Sequence, residues 1–151
     1  MLNQNSKILI VDDTEMAPFV LRKRLPILYE MPPENIHWAK SGEEALTLLQ
    51  TKCYDLLCTD MEMAQIKEGQ KIGMNGDELI ARLLQDASLD HMPVILISGN
   101  KYIAANPYGA DASLKKGDWH ELPEVIERAY SHAAQRRVAS IPVSTLEAHP
   151  Q

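Results

Sequence analysis

Short apolar runs recur along the chain, and each ends abruptly in polar residues. Lys7-Ile8-Leu9-Ile10-Val11 gives way to Asp12-Asp13-Thr14, and Tyr54-Asp55-Leu56-Leu57-Cys58 to Thr59-Asp60. Pro93-Val94-Ile95-Leu96-Ile97 gives way to Ser98-Gly99-Asn100, and Ala112-Ser113-Leu114 to Lys115-Lys116-Gly117. A fifth stretch, Asn35-Ile36-His37-Trp38-Ala39, is shorter and more mixed. Apolar runs of this length without a helical period read as strands of a parallel sheet buried on both faces.

Between the strands the period changes to that of helices. Leu21, Leu25 and Leu28 form an inward stripe on a helix opening near Glu15 to Pro18; Pro26 predicts a kink or an end, and Pro32-Pro33 a stop. Ser41-Gly42-Glu43-Glu44 is a capping box that opens a helix to about Gln50, with Ala45, Leu48 and Leu49 inward. Gly73-Met74-Asn75-Gly76 leads into a helix from Asp77 to about Gln85, with Leu79, Ile80, Leu83 and Leu84 inward. A short helical piece is expected at Lys101 to Asn106, stopped by Pro107. The last helix is the most periodic, with Leu122, Val125, Ile126, Ala129, Tyr130 and Ala133 on one face; start signals at Asp118 and Pro123 leave its first residue open. The segment Ala64–Ile72 reads as polar and flexible, and the chain from Ala139 onward as a loose tail. Strict βα alternation predicts one α/β domain, a doubly wound parallel sheet with helices on both faces.

Composition narrows the function classes. A length of 151 residues fits one domain with a sizeable core. The net charge of −6 argues against a direct nucleic-acid binder, which usually shows a basic patch. No apolar stretch reaches the roughly 18 residues of a membrane span, and the first residues lack the pattern of a signal peptide. Cys53 and Cys58 have odd spacing along a strand and should face opposite ways, as two reduced thiols of a cytoplasmic protein.

In a sheet of this kind the polar residues just past the strand ends gather along one edge. Here they are Asp12 and Asp13, Asp60, Ser98 and Lys116. Crowded carboxylates repel one another unless a cation joins them, and an all-oxygen set suits Mg²⁺ or Mn²⁺ rather than zinc. A hydroxyl and an ammonium converging there are donors for an anion. Together these groups describe a phosphoryl-transfer site in which one carboxylate can be the nucleophile.

The same residues carry a family resemblance. Ile8 to Asp13, Ser41-Gly42-Glu43-Glu44-Ala45-Leu46, Tyr54 to Asp60, Gly73 to Gly76, Pro93 to Ser98, and Gly109-Ala110-Asp111 through Lys116 resemble, in order, the receiver domain of two-component response regulators. The resemblance covers about residues 7 to 138, with residues 1–6 as an N-terminal extension and 139–151 as a flexible C-terminal tail. It implies a flavodoxin-like, CheY-like (βα)5 fold with five parallel strands in the order 2-1-3-4-5. It implies that Asp60 is the phosphoacceptor, that Asp12 and Asp13 are the acidic pair that holds Mg²⁺, and that Glu62 adds a backbone carbonyl to the metal. Ser98 matches the hydroxyl residue that moves to the phosphoryl group, and Lys116 the lysine that pairs with it; spacing from Gly109 and strand alternation both disfavour Lys115. The implied partners are a histidine kinase or phosphotransfer protein and an effector protein, with no direct nucleic-acid contact.

The chain also departs from the family. Ala64 stands where proline is usual, and the insertion through Ile72 follows the phosphoacceptor loop as a lid, a partner contact or a plain surface loop. The stretch between Ser98 and Gly109 is short, Ser113 occupies a position that usually carries Tyr or Phe, and Gly117 replaces a proline, which leaves open whether the peptide before it is cis. The expected function is a stand-alone receiver that phosphorylates and dephosphorylates itself but turns over no external substrate. The alternatives are a degenerate receiver acting as a scaffold, and a phosphatase resembling the haloacid-dehalogenase family.

Overall fold

The computed structural model of the protein describes residues 1–100 and 106–139. In chain order the strands are β1 (Ile8–Val11), β2 (Ile36–Ala39), β3 (Leu56–Asp60), β4 (Gln65–Lys67), β5 (Gln70–Ile72), β6 (Val94–Ser98) and β7 (Ala112–Lys115). The α-helices are α1 (Met16–Tyr29), α2 (Gly42–Thr51), α3 (Gly76–Leu84) and α4 (Leu122–Ala139). Five strands make one sheet in the order β2-β1-β3-β6-β7, and every pairing in it is parallel. Counting only those five, the order is the expected 2-1-3-4-5.

Strand alternation divides the core into two layers. Ile8, Ile10, Leu56, Cys58, Ile95 and Ile97 face α1 and α4, where Leu21, Leu25, Leu122, Val125 and Ile126 meet them. Leu9, Val11, Leu57, Val94 and Leu96 face α2 and α3, against Ala45, Leu49, Leu79, Ile80 and Leu83. All residues of β1, β3 and β6 are buried, which is why these strands read as continuous apolar runs.

Three local expectations change. Helix α1 runs through Pro26 to Tyr29 instead of ending there, and closes on Glu30 in the left-handed conformation. An interior proline costs about 3 kcal/mol, but burial of Leu21 and Leu25, with Tyr29 packed on the same layer, outweighs it. Leu28 is not part of the inward stripe: it is exposed, because the buried positions are Ala17, Pro18, Leu21 and Leu25. Leu84 is likewise exposed at the end of α3.

The segment Ala64–Ile72 is not formless. It folds as an antiparallel β4–β5 hairpin with Gln65 opposite Ile72 and Lys67 opposite Gln70. Glu68 and Gly69 take φ of 51° and 76°, so both central residues are left-handed, as a two-residue hairpin turn of the primed type demands. Gly69 meets that demand without strain. The short helical piece expected at 101–106 falls almost wholly outside the described residues, as does the tail beyond 139. Among the described residues no peptide bond is cis, so Lys116–Gly117 is trans, with Gly117 at φ 99°.

Candidate functional site

The sheet's hydrogen bonding continues past the strand ends and carries the polar residues into register. Asp12 N–H donates to Ala39 O at 3.1 Å, Met61 N–H to Ile97 O at 3.0 Å, and Lys116 N–H to Ser98 O at 2.7 Å. Val11 is paired with Thr59, so the next step along the same ladder sets Asp12 beside Asp60. The cleft at this edge has a volume of about 470 Å³ and is lined by Asp13, Thr14, Asp60, Met61, Glu62, Ser98, Gly99, Asn100 and Lys116.

Asp12, Asp13 and Asp60 each place a carboxylate oxygen within 4.8 Å of the others. Asp12 and Asp60 are buried and Asp13 is exposed at the mouth. Lys116 Nζ lies 3.2 Å from Asp60 Oδ1 and 3.6 Å from Asp12 Oδ2. Lys115 is exposed on the sheet's outer edge, paired in register with Ser98. Of the two lysines it is therefore Lys116 that reaches the acidic residues.

One lysine among three carboxylates leaves a net negative site. Burial first, and then the negative charge of Asp12, push the Asp60 carboxyl up to about 6, against the partial relief of Lys116. Desolvation and the charge of Asp12 also raise Asp13. Burial by itself pulls Lys116 down, but Asp60 and Asp12 outweigh it and the ammonium is held above its usual range.

The Asp12 carboxylate is half satisfied. Its Oδ1 accepts from Thr14 N–H at 2.9 Å and from Thr14 Oγ1 at 3.0 Å. Its Oδ2 is buried without a hydrogen bond. A buried carboxylate oxygen with no donor, beside two more carboxylates, fits a hard divalent cation of the Mg²⁺ kind. Glu62 is exposed on the rim of the cleft. Ser98 is at the cleft, but its hydroxyl donates to Asn100 O at 2.6 Å and accepts from Asn100 N–H at 2.9 Å. The structure thus brings together all the residues singled out in the sequence, with the Ser98 hydroxyl turned toward Asn100.

Several neighbours were not singled out. Thr14 holds one oxygen of Asp12, and the Asp-x-Thr spacing is the signal that could have found it, since such side chains cap the backbone two residues on. Trp38 is more than packing: its Nε1–H donates to Asp12 O at 2.7 Å. A half-buried indole N–H needs an acceptor, but nothing in the sequence says which. Asn75 clamps the loop after Asp60, and Asn75-x-x-Glu78 is a capping-box spacing.

With this geometry established, comparison with known proteins is unambiguous about the family. The model of the response regulator receiver domain matches residues 8–127, and the chain belongs to that family. It is similar to the chemotaxis protein CheY-3 of Vibrio cholerae, with 32% identity over 98 residues, 65% of this chain and 67% of that one. It is 30% identical over 120 residues to the gliding motility regulatory protein of Myxococcus xanthus, covering 74% of this chain but 13% of that larger protein. Among solved structures it resembles the Thermotoga maritima response regulator protein TrrA in complex with Mg²⁺–BeF. That match has 25% identity and a TM-score of 0.64, over 82% of this chain and 98% of the other.

Proposed function

We propose that the protein is a phosphorylation-controlled switch whose phosphoacceptor is Asp60. The observation that carries this reading is the convergence of Asp60, Asp12 and Lys116 at one sheet edge, with Asp12 Oδ2 left without a donor. Asp12, Asp13 and Asp60, joined by the Glu62 backbone carbonyl, would hold Mg²⁺ or Mn²⁺. When bound, the cation neutralises the carboxylates and the phosphoryl oxygens.

The chain's own groups do the rest. An Asp60 carboxylate oxygen attacks phosphorus while the bond from phosphorus to the donor nitrogen breaks. The electron pair stays on the donor imidazole, which takes a proton from solvent. A carboxyl at about 6 is already mostly ionised at neutral pH, so no base is needed to activate it. Lys116, charged and 3.2 Å from Asp60, donates to the incoming oxygens. The Ser98 hydroxyl exchanges its bond to Asn100 O for one to the phosphoryl group. Hydrolysis of the acyl phosphate resets the switch, and no external substrate is turned over.

The donor is a histidine kinase or phosphotransfer protein, and the signal passes to an effector protein, in the cytoplasm. Family membership supports the protein partners, and a net charge of −6 supports the absence of direct nucleic-acid contact. Among the described residues no helix is long and apolar enough to cross a membrane. The test is incubation with acetyl phosphate and Mg²⁺. A base-labile phosphoprotein is expected for the natural chain and none for Asp60→Asn; equal labelling of both would overturn the reading.

A further inference from the structure

The loop that links the Asp60 strand to the inserted hairpin is held by one side chain. Asn75 Oδ1 accepts from two consecutive backbone amides, Met63 N–H at 2.9 Å and Ala64 N–H at 2.8 Å. On the other side of Glu62, the Met61 carbonyl accepts from Gly76 N–H at 2.8 Å. Glu62 is therefore pinned from both flanks by the first residues of α3 and their cap.

Peptide planarity gives this arrangement a consequence. In a trans peptide the C=O of one residue and the N–H of the next point in opposite directions. Among the described residues none is cis. Fixing Met63 N–H on Asn75 thus aims the Glu62 carbonyl away from Asn75, and Glu62 lines the acidic cleft. Asn75 is itself held: Glu78 Oε1 accepts from its backbone N–H, and the same oxygen pairs with Lys71 of β5. A chain of contacts thereby runs from the hairpin through Glu78 and Asn75 to the Glu62 carbonyl.

We infer that Asn75 is a positioning residue that sets the direction of the Glu62 carbonyl for the divalent cation, and that Lys71 and Glu78 couple the β4–β5 hairpin to that setting. The inference rests on the metal-site reading above. Outer contacts that orient a ligand typically change metal affinity 10–100-fold when removed. The hairpin lies downstream of the same anchor, so a change at the site changes how the hairpin base is held, and the reverse holds by linkage.

Mn²⁺ titration of the full chain, followed by loss of the free-ion electron paramagnetic resonance signal, tests this. Asn75→Ala should weaken Mn²⁺ at least about tenfold. Asn75→Asp, whose carboxylate can still accept both amides, should stay within about threefold of the natural chain. Lys71→Ala, a surface change that does not threaten folding, should weaken it about two- to threefold, as loss of an exposed ion pair allows. Amide exchange at Met63 and Ala64 should slow on adding Mg²⁺ in the natural chain and not in Asn75→Ala. Unchanged affinity in a folded Asn75→Ala protein, or an Asn75→Asp protein as weak as Asn75→Ala, would overturn the positioning role. Unchanged affinity in Lys71→Ala would overturn the coupling to the hairpin. If the natural chain itself takes up no Mn²⁺, the metal-site reading falls and the inference with it.

Discussion

Asp60 is costly to the protein that carries it. Its carboxyl sits at about 6 against 3.8 in the unfolded chain, so between those values the folded state binds the extra proton. Stability therefore falls as pH rises from about 4 through 6, and the penalty is complete above that. Replacing Asp60 by Asn should raise the stability of the metal-free protein at pH 7 by about 1–3 kcal/mol, and by almost nothing at pH 3.5. Urea denaturation at the two pH values measures this. Mg²⁺ should stabilise the natural chain at pH 7 and much less at pH 5, where protons compete for the same oxygens. A Mg²⁺ effect of equal size in Asp60→Asn, or one independent of pH, would contradict the electrostatic description of the site. Each of the principal site residues was legible in the sequence, because a charged side chain at the end of a buried strand has few reasons to be there. Their partners were less legible. Thr14, Trp38 and Asn75 act through contacts that depend on where β2 and α3 come to rest, and Trp38 meets Asp12 across 26 positions of sequence.

At the scale of elements, the start of α3 packs directly against the end of β3 at Gly76. A Cβ on Gly76 would collide with the Asp60 carbonyl oxygen and crowd Leu96. Gly76→Ala should therefore destabilise the fold by about 1–3 kcal/mol, and slow the uptake of phosphate from a small donor by displacing Asp60. Far from the site, Asp111 fastens α4 to the start of β6. It accepts from Val94 N–H at 2.8 Å, from Arg136 Nε at 2.8 Å, and meets His132 Nδ1 at 2.6 Å. Removing it as Asp111→Ala leaves Arg136 with only the Asp90 and Met92 carbonyls and Val94 N–H without its acceptor, and should cost about 1–3 kcal/mol, while Mn²⁺ affinity stays the same. Calorimetry and the metal titration read the two separately. The parallel strands and α4 were legible because burial on both faces or on one stripe imposes a period. The β4–β5 hairpin was not: its strands are polar, three residues each and fully exposed, and its turn puts a glutamate where asparagine or aspartate is usual. The passage of α1 through Pro26 was hidden for the opposite reason, since packing on the sheet overrode a correct local rule.

For the molecule as a whole, an intact acidic edge stands beside a rebuilt surround. The hairpin follows the Asp60 loop directly and exposes Ile66 and Ile72, and Ser113 rather than an aromatic residue stands on β7. In the proposed switch, phosphorylation of Asp60 shifts the chain between two populations, and the hairpin is linked to the Asp60 loop through Lys71, Glu78 and Asn75. The central assignment is that Asp60, and no other carboxylate of the cluster, takes the phosphoryl group. An acyl phosphate can be reduced by borohydride to an alcohol, which turns a phosphorylated aspartate into homoserine. After incubation with acetyl phosphate and borohydride trapping, peptide mass spectrometry should find homoserine at position 60 only when Mg²⁺ is present. Homoserine at position 12 or 13, or none at any position under conditions where the protein binds Mg²⁺, would contradict the assignment.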